Sequence, residues 1–241
     1  MCFNRCSQMS FSTDNPVPGP RRVFLLSPAN MAGIRARFVM REGANFEIAV
    51  RLRERGVSLG ELFSFISGLY FRGKLAYART FCDVPPNIDG AFVITSSGGL
   101  VSPDAIVTLE RLQEISSGNL DPKDPYYRRL LERDAQSLAG ICGKSCEIVL
   151  LGSIATPKYV EPLLTVFGEH LMFPAEFVGR GDMSRGGLML RRVQSGESLT
   201  YVPLLGATRH GPRPPKLAPL PRKLTSSVAC AIPPTRSPNR L

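Results

Sequence analysis

The sequence lacks the features that mark a membrane or secreted protein. Although 43% of its 241 residues are hydrophobic, no apolar run reaches the roughly 18 residues of a membrane-spanning helix. The first 22 residues contain no continuous apolar region of the kind found in a secretory signal. We therefore expect a cytoplasmic protein with no membrane contact, long enough to bury one sizeable core.

Several motifs with known chemistry are also absent. No GxGxxG follows the first apolar run, which argues against a dinucleotide-binding fold, and no GxxxxGK[ST] indicates a P-loop ATPase. There is no GxSxG, and no motif pairs His170 or His210 with a serine and an aspartate. His170 opens a predicted strand, where a packed histidine is the commoner role, and His210 lies in a proline-rich segment.

Cysteine and histidine are too scattered to form a typical metal site. The six cysteines include two close pairs, Cys2–Cys6 and Cys142–Cys146, but both histidines lie far from them. A zinc site normally shows two tight ligand pairs at defined spacings. We predict reduced, structural thiols, no bound metal and no cofactor.

The basic charge belongs to the ends of the chain. The net charge is +10, yet residues 207–241 carry seven Lys or Arg and no acid, and residues 23–206 have a net charge of only +1. Residues 1–20 are polar with three prolines, and residues 207–241 are proline-rich without apolar periodicity, so we predict disordered ends. A basic tail can hold RNA or DNA weakly through phosphates, or serve only as a solubilising extension.

Between these ends, short apolar runs alternate with segments of helical periodicity. Buried strands are predicted at 22–27, 91–95, 147–151 and 170–173, and helices near 31–41, 45–55, 69–79, 107–116, 125–141 and 157–168, with a capping box at Ser58–Glu61 opening a further one. Residues 188–193 and 200–202 resemble a terminal hairpin. The alternation predicts a single α/β domain over 21–206, a three-layer sandwich with a mainly parallel central sheet and helices on both faces.

Small polar residues follow each predicted strand. In a mainly parallel sheet, ligands bind outside the carboxyl ends of the strands, and each end here leads to a helix N-terminus, which favours anions. The candidate ligand-binding residues at these ends are Ser27, Asn30, Ser96, Gly99, Ser153, Thr156 and Lys158. On the predicted helix 69–79, Arg72, Lys74 and Arg79 lie near one polar side and face either a ligand or, more commonly, solvent.

The stretch 173–187, FPAEFVGRGDMSRGG, is the main candidate for the centre of the site. Glycines let backbone N–H groups approach a ligand, and arginine offers a charged fork for phosphate or carboxylate. We predict an anion pocket built from Gly179, Arg180, Gly181, Ser184 and Arg185, the alternative being a polar turn between two strands.

Carboxylates are the better candidates for acid–base chemistry, because neither histidine has a motif partner. Asp182 comes first, since it lies inside the glycine stretch, followed by Glu176 and Asp104. Asp182 can equally form a structural ion pair with Arg180 or Arg185, and the sequence does not separate these two roles.

Two segments resemble the YaaA-type peroxide-stress proteins. Residues 25–30, LLSPAN, are similar to that family's L-x-S-P-A-K opening, and residues 93–104, VITSSGGLVSPD, are similar to its strand, small-residue turn and G-L-x-x-P-x-D continuation. Over residues 23–115 the resemblance implies a related small α/β, nucleotide-handling domain, with Ser27, Asn30, Ser96 and Gly99 bordering its pocket. The family's lysine is Asn30 here, and its basic Pro-Tyr-Arg segment has no counterpart.

These features predict a protein that binds a phosphorylated nucleotide or nucleic-acid component at the carboxyl ends of the strands. They leave open whether it also hydrolyses or transfers the glycosyl group of that ligand. In this interpretation Arg180 and Arg185 hold phosphate and Asp182 acts as a base or ribose ligand. One alternative is a non-catalytic, nucleic-acid-binding stress-response protein that uses the basic tail; another is a protein–protein module whose proline-rich tail docks elsewhere.

Overall fold

A six-stranded, mostly parallel β-sheet forms the centre of the fold. The computed structural model describes residues 21–84, 88–143 and 145–218, so the leader (1–20) and the end of the tail (219–241), both predicted to be disordered, lie outside the described residues. The strands are β1 (Arg21–Leu26), β2 (Val57–Ser58), β3 (Ala91–Thr95), β4 (Gly99–Val101), β5 (Ile106–Val107), β6 (Cys146–Leu151), β7 (Leu171–Pro174) and β8 (Tyr201–Pro203).

The order of the strands explains why the buried ones are continuously apolar. The sheet runs β4-β3-β1-β6-β7-β8, with β3, β1, β6 and β7 parallel and with β4 and β8 antiparallel at the edges; β2 and β5 form a separate antiparallel pair. In β1, Phe24 and Leu26 belong to one hydrophobic cluster, and Val23 and Leu25 belong to another. Both sides of β1 are therefore buried, which is typical of a parallel strand.

Eight α-helices pack apolar side chains into these two clusters. They are α1 (Ile34–Met40), α2 (Glu47–Glu54), α3 (Leu59–Ser67), α4 (Leu69–Phe81), α5 (Leu109–Ser117), α6 (Pro125–Cys142), α7 (Pro157–Phe167) and α8 (Asp182–Ser195) in the described part of the chain. Residues of α1–α5 and α8 pack in the first cluster with Phe24, and residues of α6 and α7 pack in the second with Val23. None of these helices is long and apolar enough to cross a membrane.

Local signals account for several helix starts. The Ser58 side chain accepts a hydrogen bond from the Glu61 backbone N–H, as the capping box predicts. Proline opens both α6 and α7, at Pro125 and Pro157, where its missing N–H costs nothing. These signals explain why the starts of α3, α6 and α7 agree closely with the sequence-based prediction.

The predicted terminal hairpin is wrong. Residues 188–193 lie in α8, and β8 pairs antiparallel with β7 instead of with residues 188–193. Arg185, Leu188 and Met189 are all buried at the three- and four-residue spacing of a helix. This helical period outweighs the short apolar run that suggests a strand.

Two glycines let α4 and α8 approach each other closely. A Cβ atom at Gly73 would lie 2.7 Å from the Gly186 carbonyl oxygen, and one at Gly186 would lie 2.9 Å from the Leu69 carbonyl oxygen. Real Cβ atoms do not approach this closely, so the two backbones meet only because both residues are glycine. Gly186, which belongs to the stretch predicted as an anion pocket or a polar turn, therefore allows the two helices to pack together.

The described part of the tail, residues 207–218, contains no helix or strand. It nevertheless contacts the domain, because Leu217 packs against the first hydrophobic cluster. Arg180 and Arg191 also donate hydrogen bonds to the carbonyl oxygens of Pro215 and Ala218. This segment therefore runs along α8 before the described chain ends.

Candidate functional site

A polar cavity of about 300 Å³ lies at the carboxyl ends of β1, β3 and β6. Ser27, Ser96 and Ser153 follow these three strands directly or closely, and all three line the cavity. Asn30, in the loop after β1, and residues of several helices contribute the other polar side chains of the lining. Of the residues predicted from the sequence, the structure brings six together here: Ser27, Asn30, Ser96, Ser153, Lys158 and Asp182.

Ser27 sits at the bottom of the cavity because its backbone continues the sheet. Its N–H donates to the Leu151 carbonyl oxygen at 3.2 Å, one residue beyond the ladder between β1 and β6. The neighbouring strand end is Gly152, where a Cβ atom would lie 2.9 Å from the Ser27 Cβ. Gly152 thus leaves the space in which the Ser27 side chain stands.

The prediction that Lys74 lies on a polar side of its helix is wrong, because its side chain is buried beside Ser27. It is only 1% exposed, and its Nζ donates to the Ser27 main-chain carbonyl and lies 2.9 Å from the Ser27 Oγ. The same Nζ lies 4.5 Å from the centre of the Tyr70 ring and 4.9 Å from that of Phe71. Burial lowers the pKa of Lys74 from 10.5 to about 7, and Asp182 opposes part of that shift.

The signal for this burial is present in the sequence. Phe71, Lys74, Leu75 and Ala78 recur at the three- and four-residue spacing of one helix face, and all four are buried in α4. Arg72 and Arg79, which the sequence analysis groups with Lys74, are exposed. A lysine on an otherwise apolar helix face is therefore the feature that could have identified this residue.

Two tyrosines and a serine complete the inner wall. The Tyr70 hydroxyl is buried and has no hydrogen-bond partner among the described residues. Burial raises the pKa of Tyr70 and of Tyr159 to about 12, with Arg185 offsetting part of the shift at Tyr70. Ser96 donates its hydroxyl proton to the Ile115 carbonyl oxygen at 2.6 Å, which ties α5 to the end of β3. Because the pKa values of Tyr70 and Tyr159 are raised to about 12, both hydroxyls are neutral at physiological pH.

Two charged residues stand at the mouth of the cavity. Lys158 is exposed in the first turn of α7, and Asp182 is the first residue of α8, with a side chain that is 66% exposed. Neither helix has a side-chain hydrogen bond at its N-cap, Thr156 for α7 and Gly181 for α8. The free N–H groups of both helix ends therefore add positive potential near the cavity.

The arginines of the glycine stretch do not line this cavity. Arg185 is buried in α8, where its Nε and one terminal nitrogen donate to the Phe177 carbonyl oxygen at 3.2 and 2.9 Å. Its other terminal nitrogen lies 3.8 Å from an Asp182 carboxylate oxygen, a long contact for an ion pair. Arg180 donates to the Glu176 carbonyl oxygen at 3.0 Å and to the Ser184 hydroxyl at 3.3 Å.

The other predicted site residues are distributed around the domain. Gly181 and Ser184 line a second hollow, together with Arg180 and residues 213–217, and Gly179 packs against Pro212. Gly99 packs against α6, where a Cβ atom would meet the Asp134 carboxylate. Glu176 accepts a hydrogen bond from the Thr200 backbone N–H at 3.2 Å, and Thr156 is exposed at the start of α7.

Cysteine and the carboxylates form no evident metal centre in the described ranges. No group of three or more His, Cys, Asp or Glu side chains is close enough there to hold an ion. Cys82, Cys142 and Cys146 are free thiols, and the last two are buried. Burial raises the pKa of the Cys146 thiol to about 12, which makes it a poor nucleophile.

Comparisons with protein-family models, with curated proteins and with solved structures found no match to this chain. The resemblance to YaaA-type proteins therefore stays a prediction.

Proposed function

We propose that the protein binds one phosphorylated nucleotide, or a nucleic-acid component of similar size, in the cavity at the carboxyl ends of the strands. The observation that carries the proposal is the meeting of three strand ends, two helix N-termini without side-chain caps and the exposed Lys158 around one polar cavity. Its volume of about 300 Å³ is at the lower end of ligand sites, which range from roughly 300 to 1,000 Å³. A single nucleotide suits that size better than a dinucleotide.

The proposed roles follow from position. Lys158 and the first N–H groups of α7 hold the phosphate, because a helix N-terminus and an ammonium group both favour anions. Asn30 and Ser153 line the same cavity and orient the ligand. We also propose that the domain is a three-layer sandwich, with helices on both faces of the sheet. Alternate residues of β1 belong to two different hydrophobic clusters, which supports this arrangement.

If the protein also cleaves the glycosidic bond of its ligand, Asp182 is the carboxylate that we propose for the acid–base step. It lines the cavity, whereas Glu176 is engaged by the Thr200 backbone. Glycoside hydrolases commonly use two facing carboxylates, and Asp182 is the one that lines the cavity within the described residues. Asp182→Asn should therefore abolish turnover while leaving affinity nearly unchanged.

Calorimetric titration of a nucleotide panel tests the proposal. Lys158→Gln should weaken binding by about 1.5–3 kcal/mol, the range for a hydrogen bond to a charged group. Lys123→Gln, which changes an exposed lysine outside the cavity, is the matched control and should bind normally. Arg180→Gln should also bind normally, because Arg180 lines the other hollow.

Two results would contradict the proposal: no binding by any nucleotide, or equal binding by wild type and Lys158→Gln. Deleting residues 207–241 separates the cavity from the tail, because binding in the cavity should survive the deletion. Loss of all binding on deletion would favour the nucleic-acid-binding alternative, which stays a prediction.

A further inference from the structure

We propose that Ser27 and Lys74 form a serine–lysine catalytic pair, in which Ser27 accepts the acyl group of a small carboxylic ester that enters the cavity. The inference goes beyond nucleotide binding and does not depend on it. It starts from the contact between these two buried side chains. Ser27 is 6% exposed and Lys74 is 1% exposed, and of the two Ser27 lines the cavity whereas Lys74 does not.

The contact geometry suits proton transfer from the serine. The Lys74 Nζ lies 2.9 Å from the Ser27 Oγ, within the range for a nucleophile and its base. The same Nζ is hydrogen-bonded to the Ser27 main-chain carbonyl, which fixes its position. A neutral amine has two N–H groups and one lone pair, so it can donate to the carbonyl and accept the hydroxyl proton at once.

The surroundings of Lys74 favour its neutral, basic form. On its own helix it faces the rings of Tyr70 and Phe71, and burial brings its pKa to about 7. The opposing charge is Asp182 on α8, whose carboxylate stabilises the ammonium form. Tyr159 of α7 is neutral near pH 7, because burial raises its pKa to about 12. Arg185 of α8 lowers the pKa of Tyr70 against the larger effect of burial, so Tyr70 is neutral as well. A general base transfers protons most efficiently when its pKa lies near the pH at which the enzyme works.

The reaction balances without an added reagent other than water. The Ser27 O–H bond breaks, its proton passes to the Lys74 Nζ, and Oγ forms a bond to the ester carbon while the carbonyl electron pair moves to oxygen. Collapse of this intermediate breaks the carbon–oxygen bond of the leaving alkoxide, which takes the proton from Lys74. Water then cleaves the acyl-serine by the same steps, releases the acid and restores both side chains.

The donors that can stabilise the carbonyl oxygen also follow from the lining. Residue 28 is proline, so the backbone N–H that follows the nucleophile in many serine hydrolases is missing. The Asn30 amide and the Lys158 ammonium group line the same cavity as Ser27. In the proposed reaction these two side chains take the place of that backbone donor.

Labelling with a fluorophosphonate tests the pair. Phosphorus forms a bond to the activated serine Oγ, fluoride leaves, and the serine proton goes to the base, so the adduct reports nucleophilicity directly. We expect one adduct, mapped to Ser27 by peptide mass spectrometry, and a labelling rate that rises with pH through a midpoint near the Lys74 pKa of about 7.

Matched variants separate activation from structure. Lys74→Met should slow labelling by at least about 100-fold, the lower end for loss of a general base. Arg72→Met changes an exposed basic residue of the same helix, and Ser117→Ala removes an exposed serine of α5 that does not line the cavity. Both controls should label Ser27 at the wild-type rate, and melting curves should show that every variant is folded.

The inference is overturned if Ser27 is not labelled, if Lys74→Met labels at the wild-type rate, or if the rate shows no midpoint between about pH 6 and 8. If Lys74→Met does not fold, Lys74→Arg and the wild-type pH profile decide, because arginine keeps the charge but cannot act as a base. Protection by a nucleotide would support the proposed nucleotide site. Labelling without protection would count against that site and leave the catalytic pair standing.

Discussion

Replacing Lys74 by methionine should change how the stability of the protein depends on pH. Burial holds the pKa of Lys74 near 7 in the folded protein, against 10.5 for an unperturbed lysine. Between these two values the unfolded chain binds more protons than the folded one. Stability linked to Lys74 therefore rises as pH increases through this window, and below about pH 7 the folded protein bears the full cost of a buried charge.

The expected size follows from the pKa shift. Each pKa unit corresponds to about 1.4 kcal/mol, and the free energy of unfolding of wild type relative to Lys74→Met should rise by roughly 2.5 kcal/mol between about pH 6 and pH 9. The methionine variant also loses the hydrogen bonds to Ser27. That loss adds a difference that is nearly independent of pH, so the slope, not the offset, is the test.

Urea denaturation at several pH values measures this slope. The tyrosines and cysteines titrate in both proteins, so their contributions cancel in the difference between wild type and variant. Arg72→Met, which changes an exposed arginine of the same helix, should show no such slope. A difference that stays flat to within about 0.5 kcal/mol across this pH range would refute the depressed pKa of Lys74.

Two further predictions concern packing. Gly186→Ala should destabilise the protein by roughly 1–3 kcal/mol, because the new Cβ would lie 2.9 Å from backbone atoms of Leu69 and Tyr70. Gly140→Ala in α6 is the control: nothing lies within 4 Å of its new Cβ, and it should stabilise the protein by roughly 0.4–1 kcal/mol. Urea midpoints measure both effects, and a Gly186→Ala variant as stable as wild type would contradict the close helix contact. Deleting residues 207–241 should lower the melting temperature by only about 3 °C. The apolar side chains in that segment that pack against the two clusters, Ala207 and Leu217, are only half-buried. A loss above about 10 °C would show that the tail is part of the core.

The parallel strands could be predicted well because their burial is local in sequence. Each is a short apolar run ended by proline, glycine or serine, and β3 was predicted at 91–95, the same bounds as in the structure. The short strands β2, β4 and β5 carry no such signal, since two or three residues cannot show a period. The start of α8 is not predicted as a helix, because its glycines favour an anion pocket or a polar turn. Gly186 instead packs against α4, a contact that no local sequence pattern records.

The site could be predicted only in part, for a similar reason. Ser27 and Ser96 follow strands directly and Ser153 follows one after a single glycine, so the rule that ligands bind at strand ends identifies them without any knowledge of contacts. Arg180 and Arg185 attract attention through composition, but their hydrogen bonds go to the carbonyl oxygens of Glu176 and Phe177. The packing of the helices decides which charged residues line the cavity. Local sequence patterns do not predict that packing.

The crossing of α4 and α8 links the packing to the chemistry of the cavity. Gly73 lies between Tyr70 and Lys74 on α4, and Gly186 lies one turn after Asp182 on α8. The two glycines allow the backbones to touch. This contact places the start of α8 beside α4, where the Asp182 carboxylate opposes part of the fall in the Lys74 pKa. A side chain larger than hydrogen at either glycine would move these groups apart, so we expect the Lys74 pKa to respond to Gly186→Ala as well as the stability does.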